Sequence, residues 1–389
     1  MKIGLCICYN IKNYGSVLQA LATKKIIEHL GYNYEIINYK KKRDVVFYIK
    51  KLPTLFSPYF YYSLRRRKSI KHQCNTNPSY KKQINMRNAA FDLFVDEHFK
   101  ERSPIYYGYK SLCEGSKNYD AIIVGSDQLW IPSGFSTNFY NLMFVDDNVL
   151  KISYATSFGV SKIPLLLQRK ARLFVRRFDS ISVRELKAKK IINNLDDSIK
   201  VEVTADPTLL FNEEQWKDII PQRKIIDGDY IFCYFLGTNI NNREAANTLK
   251  KYTSMKIVAI KHEDEYFPYD ENFGDITPDI VTPEDFVNLI RNAKYVLTDS
   301  YHGSIFSILH HKQFITFYRF SNNDKNSRNS RIDSLFEILK LRDRVYDNDI
   351  IKEINKTIDY SSVDKRIQDF RETSVDFIEK ALSTIEVKR

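Results

Sequence analysis

The sequence predicts an α/β fold made of two doubly wound halves. Three observations carry that expectation: apolar runs of strand length alternate with stretches apolar at helical spacing, the runs end in polar turns, and the alternation restarts near residue 220. "KIGLCI" (2–7) reads as a strand. "GSVLQALATKKIIEHLG" (15–31) sets Val17, Leu18, Leu21, Ile26, Ile27 and Leu30 on a helical repeat and stops at Gly31, and "YEIINY" (34–39) returns to strand. Residues 80–99 read as a helix with Phe91, Phe94, Val95 and His98 on one face, and "YDAIIVG" (119–125) as a buried strand. Strand-like runs follow at 151–159, 179–185 and 201–210, with the helix-compatible "PLLLQRKARLFVRRF" between the first two. A polar stretch with Pro221 and Gly228 then precedes new strands at 229–236, 255–261, 294–300 and 313–318, with helices at 283–293, 304–311 and about 331–341. The expected domains are 1–220 and 221–389. The last helical stretch, with Val363, Ile367, Phe370, Val375 and Phe377 in phase and no strand after it, is expected to pack back across the first domain.

Composition narrows the class. At 389 residues the chain exceeds one ordinary core, and 43% hydrophobic with 28% charged residues is a soluble, globular balance. There is no run of about 20 apolar residues to span a bilayer, and the N-terminus lacks a signal-peptide pattern, so a cytoplasmic protein is expected. Cys6, Cys8, Cys74, Cys113 and Cys233 are odd in number and lack C-x-x-C spacing, which suits reduced thiols rather than a metal or redox site.

The net charge of +12 is concentrated. Residues 40–71 hold eleven Lys or Arg against Asp44 alone, a local +10. Phe47, Tyr48, Phe56, Tyr59, Phe60, Tyr61 and Tyr62 are interleaved with them. Cations mixed with amphipathic rings suit an anionic headgroup layer; a nucleic-acid backbone and a merely solvated insertion are the rival readings. The membrane surface is the expected partner, and no nucleic acid is expected.

In doubly wound folds ligands bind beyond the carboxyl ends of the strands. Asn13, Tyr14 and Gly15 follow the first strand, with Gln19 about one turn into the helix. There is no G-x-G-x-x-G, so this turn suits an acceptor hydroxyl or sugar better than a pyrophosphate. "VGSDQLW" puts Asp127 at a strand end, as a helix cap or a general base. "SVRE" puts Arg184 at another, where its forked donors suit a carboxylate or phosphate or a plain ion pair. "TADPTLL" reads mainly as a structural turn at Asp206. Lys261, Lys312, Arg319, Arg328 and Arg331 are cations of the second half. "KYVLTDSYHGSIFSILHH" reads as strand, turn and helix, with His302 in the turn as a proton donor beside the N–H groups that open the helix at Gly303 and Ser304.

"NYGSVLQAL", "YDAIIVGSDQLW", "ISVRE", "ADPTLL" and "TDSYHGSIFSI" followed by "NSR", in this order, resemble the polysaccharide pyruvyl transferase family from residue 2 to about 341. The insertion at 40–71 falls outside those motifs. The resemblance implies two Rossmann-like domains facing across a cleft, a glycosyltransferase-B-like architecture. It implies transfer of the enolpyruvyl unit of phosphoenolpyruvate onto a sugar, usually as a cyclic ketal, in surface-polysaccharide biosynthesis. His302 would be the donor-side acid, with Arg184 reaching in from the first domain. On that chemistry Asp127 would take the hydroxyl proton; Gly303, Ser304, Lys261 and Arg331 would join Arg184 in holding the donor; and Asn13, Tyr14 and Gln19 would meet the acceptor. Phosphoenolpyruvate is then a co-substrate, and no cofactor or metal is expected. A lipid-linked or nucleotide-linked acceptor sugar would bring the protein to the inner face of the cell membrane. A glycosyltransferase using a nucleotide sugar, and a non-catalytic sugar- or membrane-binding protein, remain the alternatives.

Overall fold

The computed structural model describes residues 1–42, 58–261, 266–320 and 329–388. Strand β1 (Lys2–Cys6) leads into the helix Tyr14–His29 and then β2 (Asn33–Ile36). A small parallel pair, β3 (Tyr39–Lys40) and β4 (Tyr106–Tyr107), sits apart from the main sheet. Strands β5 (Ala121–Val124), β6 (Leu150–Thr156), β7 (Ser180–Val183) and β8 (Glu202–Val203) complete a six-stranded sheet ordered β2-β1-β5-β6-β7-β8, with every pair parallel. The second sheet joins β9 (Tyr230–Tyr234), β10 (Lys256–Ile260), β11 (Tyr295–Thr298) and β12 (Gln313–Thr316), also parallel, in the order β10-β9-β11-β12.

All seven residues of β6 and all four of β5 are buried, as strands covered on both faces require. The expected run at 201–210 shrinks to the two residues of β8. Asp206 and Pro207 break the strand and start a 3₁₀ turn over Pro207–Leu210. In each sheet the opening strand lies inside its successor, so the winding reverses between β1 and β5 and again between β9 and β11. These are the two crevices where doubly wound sheets take ligands.

The two sheets share one continuous core, in which Val17 and Leu21 cluster with Phe286 and Phe306. Tyr14 stacks on Phe286 at 4.8 Å and donates its hydroxyl to the Val281 carbonyl at 3.1 Å. Trp216 packs edge-on against Phe306 at 5.0 Å, while Arg291 donates to the Ile220 carbonyl, so residues 207–220 hold both halves. The helix Tyr360–Lys388 lies back along the first half. Ser374 Oγ accepts from the Ala205 N–H at 2.8 Å, and Arg371 donates to the Leu209 carbonyl at 2.9 Å.

Of the basic window, Lys40 ends β3 and 41–42 follow it, residues 43–57 lie outside the described ones, and 58–71 lie in the helix Pro58–Thr76. Asn77 links it to the helix Pro78–His98 and caps that helix by accepting the Tyr80 N–H.

Tyr14→Ala is expected to cost about 3–5 kcal/mol, as truncation of a buried ring does, whereas Tyr14→Phe keeps the stack and loses about 1 kcal/mol. Chemical denaturation of both variants checks this; equal stabilities would remove Tyr14 as a link between the halves.

Candidate active site

The two crevices meet at His302. Beyond β11, the Asp299 carboxylate accepts the N–H groups of Leu236 and Gly237, each at 2.7 Å, which ties the β9 and β11 ends together. Ser300 then caps the helix Tyr301–Leu309 by accepting the Gly303 N–H at 3.2 Å. His302 therefore sits in the first helical turn, not in a turn before the helix. A side-chain carbon on Gly15 would fall 2.0 Å from His302 Nδ1. The imidazole thus rests on the bare backbone that opens the first half's leading helix, and it is 6% exposed.

Across from it stands Arg184, just beyond β7, with a side chain fully removed from solvent. It donates to Asp206 Oδ2 at 2.8 Å and to Asp127 Oδ1 at 3.3 Å, with Ser126 Oγ at 3.4 Å. Its guanidinium lies 4.9 Å from the Tyr301 ring centre, and that of Arg331 lies 5.6 Å from the same centre. Asp206 also accepts from Ser126 Oγ, from the Thr208 N–H and from Thr208 Oγ1. His302 Nε2 is 3.5 Å from Asp206 Oδ2, an ion-pair separation without hydrogen-bond geometry, so this buried nitrogen has no hydrogen-bond partner.

Burial pushes the Asp206 carboxyl up, but His302, Arg184 and the Thr208 hydroxyl outweigh it and hold it far below the usual carboxylate range. Burial acts likewise on Asp127, where Arg184 and Ser16 prevail and the carboxyl is again lowered. The reciprocal effect keeps Arg184 charged despite its burial.

Asn13, Asp127, Arg184, His302 and Arg331 are gathered here, with several changes of role. Asn13 caps the leading helix by accepting the Ser16 N–H. Asp127, 15% exposed, adopts a left-handed backbone (φ 84°) and accepts from Ser16 Oγ at 2.6 Å, from the Gln128 N–H and from Arg184, so it is not the free base expected. The Gly303 N–H is taken by Ser300, and the Ser304 hydroxyl donates to the Ser300 carbonyl and bonds Thr316 Oγ1, so neither offers the expected donor to a ligand. A glycine is needed at 303 because a side chain would meet Thr298 Oγ1 at 2.6 Å. Gln19 is fully buried and donates to the Ser16 carbonyl, away from any acceptor. Tyr14 is a packing residue, and Lys261 lines a different pocket beside it, with Gln83, Arg87, Thr277 and Asp279.

Asp206, expected as a structural turn, Gly15, expected within the turn after β1, and Ser16 and Tyr301, given no role, complete the cluster. The available signal was the ADP motif, an acid at a strand end three strands along from that of Asp127. Among the described residues, Glu97, His98 and Glu284 could hold a metal ion, their ligand atoms lying within 4.8 Å of one another. That group shares no residue with the His302 cluster.

These features define a protein of two Rossmann-like domains with a histidine–arginine–carboxylate cluster where their crevices meet. The chain belongs to the polysaccharide pyruvyl transferase family, a family of transferases, whose model matches residues 13–322. No curated protein sequence matches it. Among solved structures it is similar to UDP-GlcNAc 2-epimerase from Neisseria meningitidis bound to UDP-GlcNAc, at 13% identity over 98% of this chain and 100% of that one, with a TM-score of 0.46. It is similar also to the glycosyltransferase SnogD from Streptomyces nogalater, at 8% identity over 99% and 98% of the chains, with a TM-score of 0.44. An alpha-glucosyltransferase in complex with UDP gives 11% identity over 99% and 100%, with a TM-score of 0.49.

Asp206→Asn is expected to lose about 3–5 kcal/mol at neutral pH, the scale for unpairing a buried charge. Because the folded carboxyl is lowered, its stabilisation is complete above about pH 4 and disappears as pH falls through the folded value. The gap between wild type and variant in thermal melts should therefore close toward acid; a gap constant with pH would exclude the ion pair as its cause. Gly15→Ala is expected to displace the imidazole and cut turnover about a hundredfold, as misplacement of a reacting group does, and an unaltered rate would sever His302 from the chemistry.

Proposed function

We propose that this chain moves the enolpyruvyl unit of phosphoenolpyruvate onto a sugar as a cyclic ketal, in surface-polysaccharide biosynthesis. Besides the family, the observation that carries this is His302: a buried imidazole at the meeting of two crevices, with an unpartnered Nε2 facing a carboxylate held ionised. Such a nitrogen is suited to hold a proton and give it up to a ligand.

In the proposed sequence His302 protonates the methylene carbon of the donor, and the electron pair of its double bond forms the new C–H bond. The resulting cation at C2 is attacked by one sugar hydroxyl, whose proton passes to the imidazole of His302, now neutral after the first step. Phosphate then leaves with the C–O bonding pair, and the second hydroxyl closes the ring as its proton passes to the departing phosphate. Asp127, with its acceptor positions occupied, acts by positioning Arg184 and Ser16. Arg331 and Arg319 supply charge for the donor's carboxylate and phosphate, while Lys261, in the pocket beyond Tyr14, serves the acceptor. A nucleotide-sugar donor fits less well, because the Leu236 and Gly237 N–H groups that would suit its diphosphate are already bonded to Asp299.

The acceptor is proposed to be lipid-linked and met at the cytoplasmic face of the membrane. In support, Tyr61, Leu64, Arg65, Lys68 and Lys71 recur on one exposed face of the helix Pro58–Thr76. Basic residues there contribute about 1 kcal/mol each near an anionic surface.

The test is incubation with phosphoenolpyruvate and a panel of lipid-linked and nucleotide-linked sugars, with mass spectrometry for a pyruvyl adduct and an assay for released phosphate. His302→Ala should lower turnover about a hundredfold or more. Adduct formed at the wild-type rate by a folded His302→Ala would refute the mechanism, and turnover of nucleotide sugars without phosphoenolpyruvate would refute the donor.

A further inference from the structure

The helix Leu165–Val175 carries an outward face that the first domain's packing does not explain. Its inner face is well seated. Ala171, Phe174 and Val175 are buried, with Phe174 against Trp130 at 5.4 Å and Phe135 at 5.1 Å. On the other side Leu165, Leu166 and Leu173 are 77%, 95% and 54% exposed. Leu166 and Leu173 lie two turns apart, and the exposed Arg169, Arg172 and Arg176 fall between and beside the leucines. From 160 to 178 the chain holds six Lys or Arg and no acid.

We infer that this helix is a second membrane-contact element, seating its leucines at the boundary between headgroups and acyl chains of an anionic lipid surface. Bulky aliphatic side chains ringed by guanidiniums match that layer, apolar below and phosphate-rich above. The cations remain available at their outer side. Arg172 donates Nε to the Leu195 carbonyl and Arg176 donates Nε to Asp196, yet both side chains stay exposed. A second copy of the chain is a poor occupant, because a twofold contact would set this basic face against itself. Nucleic acid is also poorly served, since the face offers no ring on which a base could stack. The contact depends neither on the chemistry at His302 nor on the helix Pro58–Thr76. It adds a hydrophobic component, resistant to salt, to an attraction that salt would otherwise abolish.

The experiment is co-sedimentation of the full chain with phosphatidylcholine vesicles, with and without phosphatidylglycerol, at low and high salt. Three proteins are compared: wild type, Leu165→Ser/Leu166→Ser/Leu173→Ser, and Arg65→Ser/Arg66→Ser/Arg67→Ser/Lys68→Ser. Wild type should bind anionic vesicles and keep part of that binding at high salt. The leucine variant should lose about tenfold or more in vesicle affinity, including the salt-resistant part, since buried aliphatic area sets that term. The arginine variant should retain the salt-resistant part. Equal sedimentation of wild type and leucine variant, or no wild-type binding at low salt, would overturn the inference. So would a wild-type dimer in gel filtration that the leucine substitutions convert to monomer. Because the leucines are exposed, an unchanged melting curve will show that the variant is folded.

Discussion

A guanidinium buried in a protein interior must be met by carboxylates, and meeting that demand organises this cleft. Arg184 lies beyond β7, Asp127 beyond β5 and Asp206 beyond β8, so a single cation ties together the ends of three strands. The desolvation cost of three charged groups is offset only because nearly every lone pair is occupied: Ser16, Ser126, Gln128 and Thr208 all donate to the two acids. Removing Arg184 leaves two buried acids without their cation, and removing either acid leaves Arg184 with a single carboxylate. The cluster is thus a rigid floor, and Tyr301 rests on it through the face of its ring.

That floor has a consequence for His302. Asp206 lies beside Nε2 and the Gly15 backbone beside Nδ1, so both ring nitrogens are covered in the conformation described. A ligand reaching the imidazole has to part the helix that begins at Tyr14 from the helix that begins at Tyr301. Such small interdomain movements are ordinary in two-domain enzymes. The absence of a side chain at Gly15 makes this contact attainable, and the Tyr14–Phe286 stack lies next to it.

Much of this was legible from residues alone. Alternation of apolar runs gave the two parallel sheets, and strand-end polar residues pointed to Asp127, Arg184 and His302, because in such folds the chemistry collects at those ends. Hydrogen-bond economy was not legible. Nothing in "YHGS" reveals that Ser300 takes the Gly303 N–H, or that Ser304 turns to Thr316, since both depend on how closely the helix presses on β11 and β12. Asp206 was passed over because its local task, capping the turn at Pro207, is itself sufficient to explain it. Its second task depends on Arg184, which ends the neighbouring strand β7 and comes beside it only after the sheet has formed. Gln19 misled in the opposite way, since a polar residue near a helix start can face the core when it bonds its own backbone.

On the proposed reaction, the charges around His302 bear on where the donor would lie. Arg184 is neutralised by Asp127 and Asp206, so it adds a fixed field and shape rather than a free positive charge. The proposed donor, phosphoenolpyruvate, would bring about three negative charges, for which forked donors on the other wall are suited. On that wall Arg331 stands over Tyr301, and Arg319 donates to the Asp299 carbonyl and lies 3.5 Å from its carboxylate, while its buried Nε has no partner. The sequence between these two arginines adds Lys325 and Arg328, which lie outside the described residues. On the proposed reaction, the donor's anionic end would be met by Arg319 and Arg331 of the second half.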